Sequence, residues 1–398
     1  MDRTAFPDGR HTRRLRLRTA PHRAWTEEQQ LLVEGVRAYA RGELIDADRR
    51  WDVDETSMGE VLPTLEEMGL LSLSIPESAG GLDCDMKTYA ALLHEVSYAS
   101  PSVAVTLSVH SMVTSILSKQ AAAHRRGEWL AAMGRADNLC AFAISEADAG
   151  SDPSGIRTSA ESTGDGYRIN GEKMWITNGL SARWFLTLVR LRGGGPEGEL
   201  CMMLVDGRSR GIERTKIRGK MGIRGSETAV IALHDVEIPE DHLVGGVGEG
   251  GRVSAITLNE GRVGIASQAT GIAEACLDQM IEYAKVRRQF GQPIGRFQAV
   301  ANMIADSAVE LAASKALIAS AADKIDAGKA DLPSSSMAKL YATEAANRIA
   351  YRAVQVHGGM GYVRECRVEQ LYRDARVTTI YEGTSEIQRY VIAKGLRQ

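Results

Sequence analysis

The sequence predicts a mostly helical α+β chain in three parts. An N-terminal all-α domain is expected over 26–138, a middle β domain over 139–246, and a C-terminal four-helix-bundle domain over 247–398. Three observations carry this reading. Apolar residues recur at helical spacing on both sides of the middle segment. Inside it they alternate in short runs, and glycine-rich breaks rather than helices separate those runs. The 398 residues, 44% of them apolar, are enough for a sizeable core.

In chain order, Thr26 with Glu27 and Glu28 behind it reads as a helix cap, and Leu31, Leu32, Val36 and Ala40 follow on one face. A second helix is expected from Met58 to Met68, ending near Gly69. Pro, Ser and Gly over 74–81 mark a loop. Two more helices are expected, Met86 to Tyr98 and Pro101 to Lys119, the second with proline in its first turn. The middle domain should be an antiparallel barrel or sandwich. Asn170-Gly171 lies between alternating segments, the strongest short hairpin signal. Trp184–Leu191, Glu199–Val205 and Thr228–Ile238 supply further strands. The bundle opens with a long helix traced by Ile256, Val263, Ala266, Ile272, Leu277 and Met280. A second runs from Phe297 to Ile325, and a third starts at Pro333 and reaches His357.

A net charge of −3 gives no basis for attraction to nucleic acid or an anionic membrane. Five scattered cysteines form no C-x-x-C pair, which fits a reduced intracellular protein and neither a disulfide framework nor a zinc site. No apolar run is expected to reach the ~18 residues of a spanning helix. These features predict a cytoplasmic protein without stable membrane insertion. Residues 1–25 differ, with seven arginines against two aspartates. A disordered basic tail is expected there; the alternative, a transit peptide, would place the protein in the mitochondrial matrix.

Two motifs mislead. Gly246-Val247-Gly248-Glu249-Gly250-Gly251 satisfies G-x-G-x-x-G, but a long helix follows instead of a βαβ unit, so it reads as a connector. Gly207-Arg208-Ser209-Arg210-Gly211 satisfies G-x-S-x-G, but strand follows where a nucleophile elbow needs helix, so Ser209 reads as a hairpin tip. The histidines show no metal spacing, and His110 reads as a packed helix residue.

The informative stretch is Ile380-Tyr381-Glu382-Gly383-Thr384-Ser385-Glu386. Gly383 permits positive φ and removes a side chain beside Glu382, so the carboxylate is presented at a break between helices. A cap at Thr384 or Ser385, with Glu386 in the first turn, accounts for Thr384 to Glu386 but not for Tyr-Glu-Gly. Two other segments carry polar groups at strand ends. One is Ala143-Ile144-Ser145-Glu146-Ala147-Asp148-Ala149-Gly150-Ser151-Asp152; the other is Lys173-Met174-Trp175-Ile176-Thr177-Asn178-Gly179.

Together with Tyr283-Ala284-Lys285-Val286-Arg287-Arg288-Gln289-Phe290-Gly291, Gln355-Val356-His357-Gly358-Gly359 and Gly222-Ile223-Arg224-Gly225-Ser226, these segments resemble the acyl-CoA dehydrogenase family. The resemblance runs in register from about Thr26 to Ala393, and Gly261 before Arg262 is similar to the short-chain, butyryl-CoA dehydrogenase-like branch. It implies FAD as cofactor, contacted by Phe142, Ile144, Ser145, Gly150, Ser151, Trp175, Ile176, Thr177, Thr384 and Glu386. It also implies that Phe290, Gln298, Gln355, Val356, Gly358 and Gly359 contact FAD, that Arg287 reaches the FAD pyrophosphate of a neighbouring subunit, and that the protein is a homotetramer, a dimer of dimers. Glu382 is the implied catalytic base, and Ser151, Asn259, Arg262 and Gly383 the implied substrate contacts. The implied reaction is α,β-dehydrogenation of a short- or medium-chain acyl-CoA, with electrons passed to electron-transfer flavoprotein. Alternatives are a flavin oxidase on the same fold and a non-catalytic binding or assembly protein. Glu260, about 100° around the helix from Gly261, is expected to point away from the site and to be structural. Ser145, Ala147-Asp148 and Cys366-Arg367 depart from the family pattern.

Overall fold

The computed structural model describes residues 25–193 and 198–397, so the expectation for 1–25 lies outside the described residues but for Trp25. Helix α1 (Glu27–Tyr39) starts at a capping box: Thr26 Oγ1 accepts from the Gln29 N–H at 3.1 Å, and Gln29 Oε1 accepts from the Thr26 N–H at 3.1 Å. A π-helical turn, Ala40–Leu44, carries it into α2 (Ile45–Asp54), an extension the sequence reading missed. The expected Met58–Met68 helix is split. A 3-10 turn, Met58–Val61, precedes α3 (Leu62–Glu67), because Pro63 sits in the first turn of α3 and favours a helix start there. Helices α4 (Met86–Ala99) and α5 (Pro101–Gln120) stand where expected, and Ser100 caps α5 by accepting from the Val103 N–H at 3.1 Å. Helix α6 (Ala123–Met133) was not foreseen, since it buries only Trp129, Leu130 and Met133. One expectation needs correcting: α5 is long and apolar enough to cross a membrane, but 94% of its apolar 18-residue stretch is buried, as in a core helix.

The middle domain contains β1 (Cys140–Ala143), β2 (Ser159–Ser162), β3 (Gly166–Thr177), β4 (Trp184–Leu191), β5 (Glu199–Asp206), β6 (Ile212–Lys216), β7 (Thr228–Pro239) and β8 (Leu243–Val244). Among the described residues they form one sheet, ordered β6-β7-β3-β2-β4-β5-β8, with β1 added to β4. It is mixed rather than purely antiparallel. Strand β2 lies between β3 and β4, is antiparallel to β3 and parallel to β4, and β1 is also parallel to β4. The expected Asn170-Gly171 hairpin is absent, because β3 runs straight through that dipeptide with a register shift against β7. The Asn170 amide and Asp235 exchange two hydrogen bonds of 2.9 Å across this bulge. Gly171 has φ of 148°, and a Cβ on it would meet the Thr158 Cα at 2.6 Å. Close approach, not turning, selects glycine here. Gly207–Gly211 is likewise no hairpin tip: it joins β5 to β6, which do not pair.

The C-terminal domain comprises α7 (Gly250–Val286), a small ladder of β9 (Arg288–Gln289) and β10 (Gln292–Pro293), α8 (Gln298–Asp326), α9 (Leu332–His357), α10 (Arg367–Val377) and α11 (Ser385–Gly395). Helix α7 is the axis of the molecule, packed against α4 and α5 on one side and α8 and α9 on the other. Gly250 starts α7 against the backbone of Cys201, so at this one position of the run glycine serves close packing at the domain boundary.

Polar contacts join all three domains behind the break that follows α10. Arg373 pairs with Asp52 of α2 at 2.5 Å and with Glu369 at 2.7 Å. Asp374 Oδ1 accepts from the Ile223 N–H at 2.5 Å, tying down the loop between β6 and β7. Arg367, one of the departures from the family pattern, donates to the carbonyls of Tyr98 and Ala99. These contacts fix the end of α10, and hence the turn after it.

Candidate active site

After α10 the chain makes a tight turn in which Glu382 has φ of 53° and Gly383 φ of 89°. A left-handed glutamate is strained and persists only where its surroundings hold it. Three elements do so. The Tyr381 hydroxyl donates to Gln268 Oε1 of α7. Gln388 of α11 donates through Nε2 to the carbonyls of Glu382 and Gly383, at 3.0 and 2.9 Å. Lys339 of α9 donates to the Gly383 carbonyl at 2.8 Å. A Cβ on Gly383 would stand 2.7 Å from Gln388 Nε2, so a larger residue would disturb this clamp. Thr384 then caps α11 by accepting from the Ile387 N–H at 3.3 Å, and Glu386 lies exposed in its first turn.

The carboxylate points back at α7. Glu382 Oε2 lies 2.8 Å from where a Gly261 Cβ would be, and Met112 Sδ lies 2.5 Å from the same point. Any side chain at 261 would displace one of them. The Glu382 residue keeps some surface, yet Oε2 is buried with no hydrogen-bond partner. Burial pushes this carboxyl up to about 7, against the opposing charges of Lys339 and Arg262. The Glu382 N–H also has no acceptor among the described residues. Arg262 and Asn259 are both buried, and Arg262 Nε and Nη1 and Asn259 Oδ1 lack partners. Arg262, with two uncommitted donor nitrogens, is one of the cations that act on the Glu382 carboxylate. Glu260 stands apart, bound by Ser115 and Lys119 at 2.5 Å each, in keeping with a structural role. His110 is packed as expected: Nδ1 accepts from the Cys140 N–H and Nε2 reaches the Leu71 carbonyl.

The two strand-end segments come together. The Met174 N–H donates to the Ser145 carbonyl at 2.8 Å, and the Lys173 ammonium bridges the Ile144 carbonyl and Glu146 Oε1 at 3.0 and 2.8 Å. This ion pair is buried. Although burial opposes it, hydrogen bonds from Lys173 and Thr158 hold Glu146 below its usual range, while burial lowers Lys173 to about 8. Trp175 stands out from the pair, 58% exposed with φ of 63°, while Thr177 and Ser145 are half-buried and Gly150 and Ser151 exposed. Phe142 and Ile144 pack partly into the core, and Ile176 is buried. A bare aromatic ring beside free hydroxyls fits a flat, polar-edged ring system such as a flavin. Asp148 pairs with exposed Arg157 at 3.3 Å.

The remaining expected cofactor contacts do not join this cluster. Arg287 caps the end of the 37-residue α7, 26 residues beyond Gly261. That separation is about 39 Å along the axis at ~1.5 Å per residue. At that end the His357 ring stacks on Tyr283 at 4.3 Å, which brings the end of α9, with Gln355 and Val356, and the following Gly358 and Gly359 to the last turns of α7. Phe290 and Gly291 both have positive φ in a two-residue hairpin loop, which leaves Phe290 92% exposed. Gln298 is exposed at the start of α8, whereas Val356 is buried. Within one chain, Arg287 and its neighbours thus lie far from Glu382 along α7.

The sequence reading missed Lys339, Gln388, Gln268 and Met112. For Lys339 a signal existed: it interrupts the small-residue face Ser335, Ser336, Ala338, Ala342, Ala346 of α9, where a lysine has no solvent to reach. The Glu146–Lys173 pair had no such signal, because its members lie 27 residues apart.

Family models agree with these domains. The acyl-CoA dehydrogenase N-terminal, middle and C-terminal domains match residues 26–137, 141–236 and 248–397. The mouse protein "short-chain specific acyl-CoA dehydrogenase, mitochondrial" is 38% identical over 368 residues, covering 92% of this chain and 89% of its own. The solved butyryl-CoA dehydrogenase of Megasphaera elsdenii superposes with a TM-score of 0.91 at 31% identity, covering 94% of this chain and all of that one. A solved structure described as an electron transferring flavoprotein of Acidaminococcus fermentans superposes with a TM-score of 0.90 at 31% identity, covering 94% of this chain and 98% of that one.

Proposed function

Because the chain belongs to the acyl-CoA dehydrogenase family, whose members are FAD-dependent oxidoreductases acting on the CH–CH bond of acyl-CoA thioesters, we propose that it dehydrogenates a short- or medium-chain acyl-CoA with Glu382 as the base. The observation that carries this reading is the buried Glu382 Oε2, which has no hydrogen-bond partner and faces Gly261 of α7.

Glu382 removes the α-proton as a carboxylate and becomes the neutral acid, a form that burial favours. The β-hydrogen leaves as hydride, and bound FAD supplies the acceptor. The charge that develops on the thioester carbonyl needs a donor already in place, and the unengaged Glu382 N–H provides one. Arg262 and Asn259, together with Ser151 and the Gly383 backbone, position the substrate. Trp175, Thr177, Ser145 and Ser151 would hold one side of FAD, and Arg287, Phe290, Gln298, Gln355, Gly358 and Gly359 of a second chain the other. A guanidinium suits the pyrophosphate of that half. The butyryl-CoA and short-chain relatives support a short acyl chain, and the electron-transferring-flavoprotein neighbour supports that protein as acceptor.

The test is an anaerobic acyl-CoA series followed by flavin absorbance. Butyryl-CoA and its near neighbours should bleach the flavin rapidly. Glu382→Gln should keep FAD and lose bleaching; rapid bleaching by that variant would exclude Glu382 as the base.

A further inference from the structure

Lys339 is wholly buried in α9, and the Gly383 carbonyl is the acceptor its ammonium reaches among the described residues. A lysine in that setting is expensive to bury, and neither the proton transfer nor the hydride transfer uses it. Its surroundings show where it acts. Glu382 faces it from the turn, Arg262 from α7, Glu344 from its own helix and Glu386 from α11. Lys339 and Arg262 are in turn the two cations that face Glu382.

We propose that Lys339 is the positioning residue for the base: its ammonium clamps the Gly383 carbonyl, holds the left-handed Glu382–Gly383 turn with Gln388, and places a positive charge beside the Glu382 carboxylate. Burial lowers Lys339 to about 8, so this charge is present through pH 7 and fades above 8. This rests on Glu382 being the base. The clamp does two things at once. It keeps the Glu382 peptide oriented so that its N–H stays unengaged while both carbonyls are tied back. It also offsets part of the burial that favours the neutral acid, so that a working fraction of Glu382 is carboxylate near neutral pH. Arg262 alone is a poorer source of that charge, since its own role is to meet substrate.

The experiment compares Lys339→Met, which removes charge and donor, Lys339→Gln, which removes charge but keeps a donor, and Lys339→Arg, which keeps both. The Glu382 carboxyl is titrated by infrared difference spectroscopy on the holoenzyme, its band assigned by its loss in Glu382→Gln. Flavin bleaching by saturating butyryl-CoA is followed over the same pH range. Lys339→Met and Lys339→Gln should raise the Glu382 midpoint by about one pH unit, cutting bleaching below that midpoint about tenfold. Lys339→Arg should restore the wild-type midpoint, and substrate affinity should hold throughout. A merely structural lysine would lower thermal stability and leave the midpoint in place. Wild-type midpoints in both neutral variants would therefore overturn the proposal. Should Lys339→Met fail to fold, the Gln and Arg variants carry the same comparison. If no acyl-CoA bleaches the wild-type flavin, the functional reading fails, while the infrared titration still decides whether Lys339 governs Glu382.

Discussion

At the scale of residues, the proposed chemistry rests on one carboxylate whose environment opposes its charge. Burial lifts Glu382 from an ordinary 4.5 to about 7, so the active carboxylate form grows as pH rises through 7. The bleaching rate should follow, with an acid limb centred near pH 7, and a limb near pH 4.5 would show that the base is solvated. The same shift makes a stability prediction. The folded state holds this proton more tightly than the unfolded chain, so stability present below pH 4.5 is lost as pH rises through 7. The loss amounts to about 3 kcal/mol at most. Glu382→Gln should therefore raise the melting temperature at pH 8 and leave it nearly unchanged at pH 4.5, as calorimetry can check. The tetrapeptide Tyr-Glu-Gly-Thr made Glu382 legible in the sequence. Lys339 and Gln388 were not legible, because what they hold is a backbone carbonyl in another element.

Among the elements, the segments proposed to face the cofactor are held by tertiary pairs. Lys173 of β3 and Glu146 in the loop after β1 form a buried bridge, and Glu146 also accepts from the N–H groups of Arg157 and Thr158 at 2.7 and 3.0 Å. Lys173→Met removes one member of the pair and leaves a buried carboxylate, a change that typically costs about 3–5 kcal/mol. It should lower both thermal stability and FAD occupancy, measured by flavin content after gel filtration. Unchanged flavin content would show that the bridge does not position the cofactor loop. Element type was readable from periodicity for α4, α5, α7, α8 and α9, since each buries a continuous stripe. Asn170-Gly171 misled because the local signal for a turn and for a bulge is the same, and only the closeness of Thr158 selects the bulge. The parallel pairing of β2 with β4 was equally hidden, because alternation records which face is buried and not which strand lies alongside.

For the whole molecule, the Arg287 cluster lies at the far end of α7, 26 residues beyond Gly261. On the proposed reading, a complete site takes residues from two chains. Arg287→Ala alone should lose FAD affinity, and Glu382→Gln alone should lose turnover. Coexpressed, the two variants should form mixed oligomers in which one site pairs an intact Glu382 with an intact Arg287, recovering measurable activity. An inactive mixture, with mixed oligomers verified by native mass spectrometry, would place Arg287 outside the shared site.

By itself, the order of residues determined the three-part architecture and the main helices, and pointed to Glu382 as the proposed base. Those come from spacing along the chain and from a glycine that frees the backbone next to an acid. Only the folded chain decided how strongly that acid holds its proton, which cation stands beside it and which strands run side by side. Such properties depend on desolvation and on distances between groups remote in sequence, quantities that linear spacing does not encode.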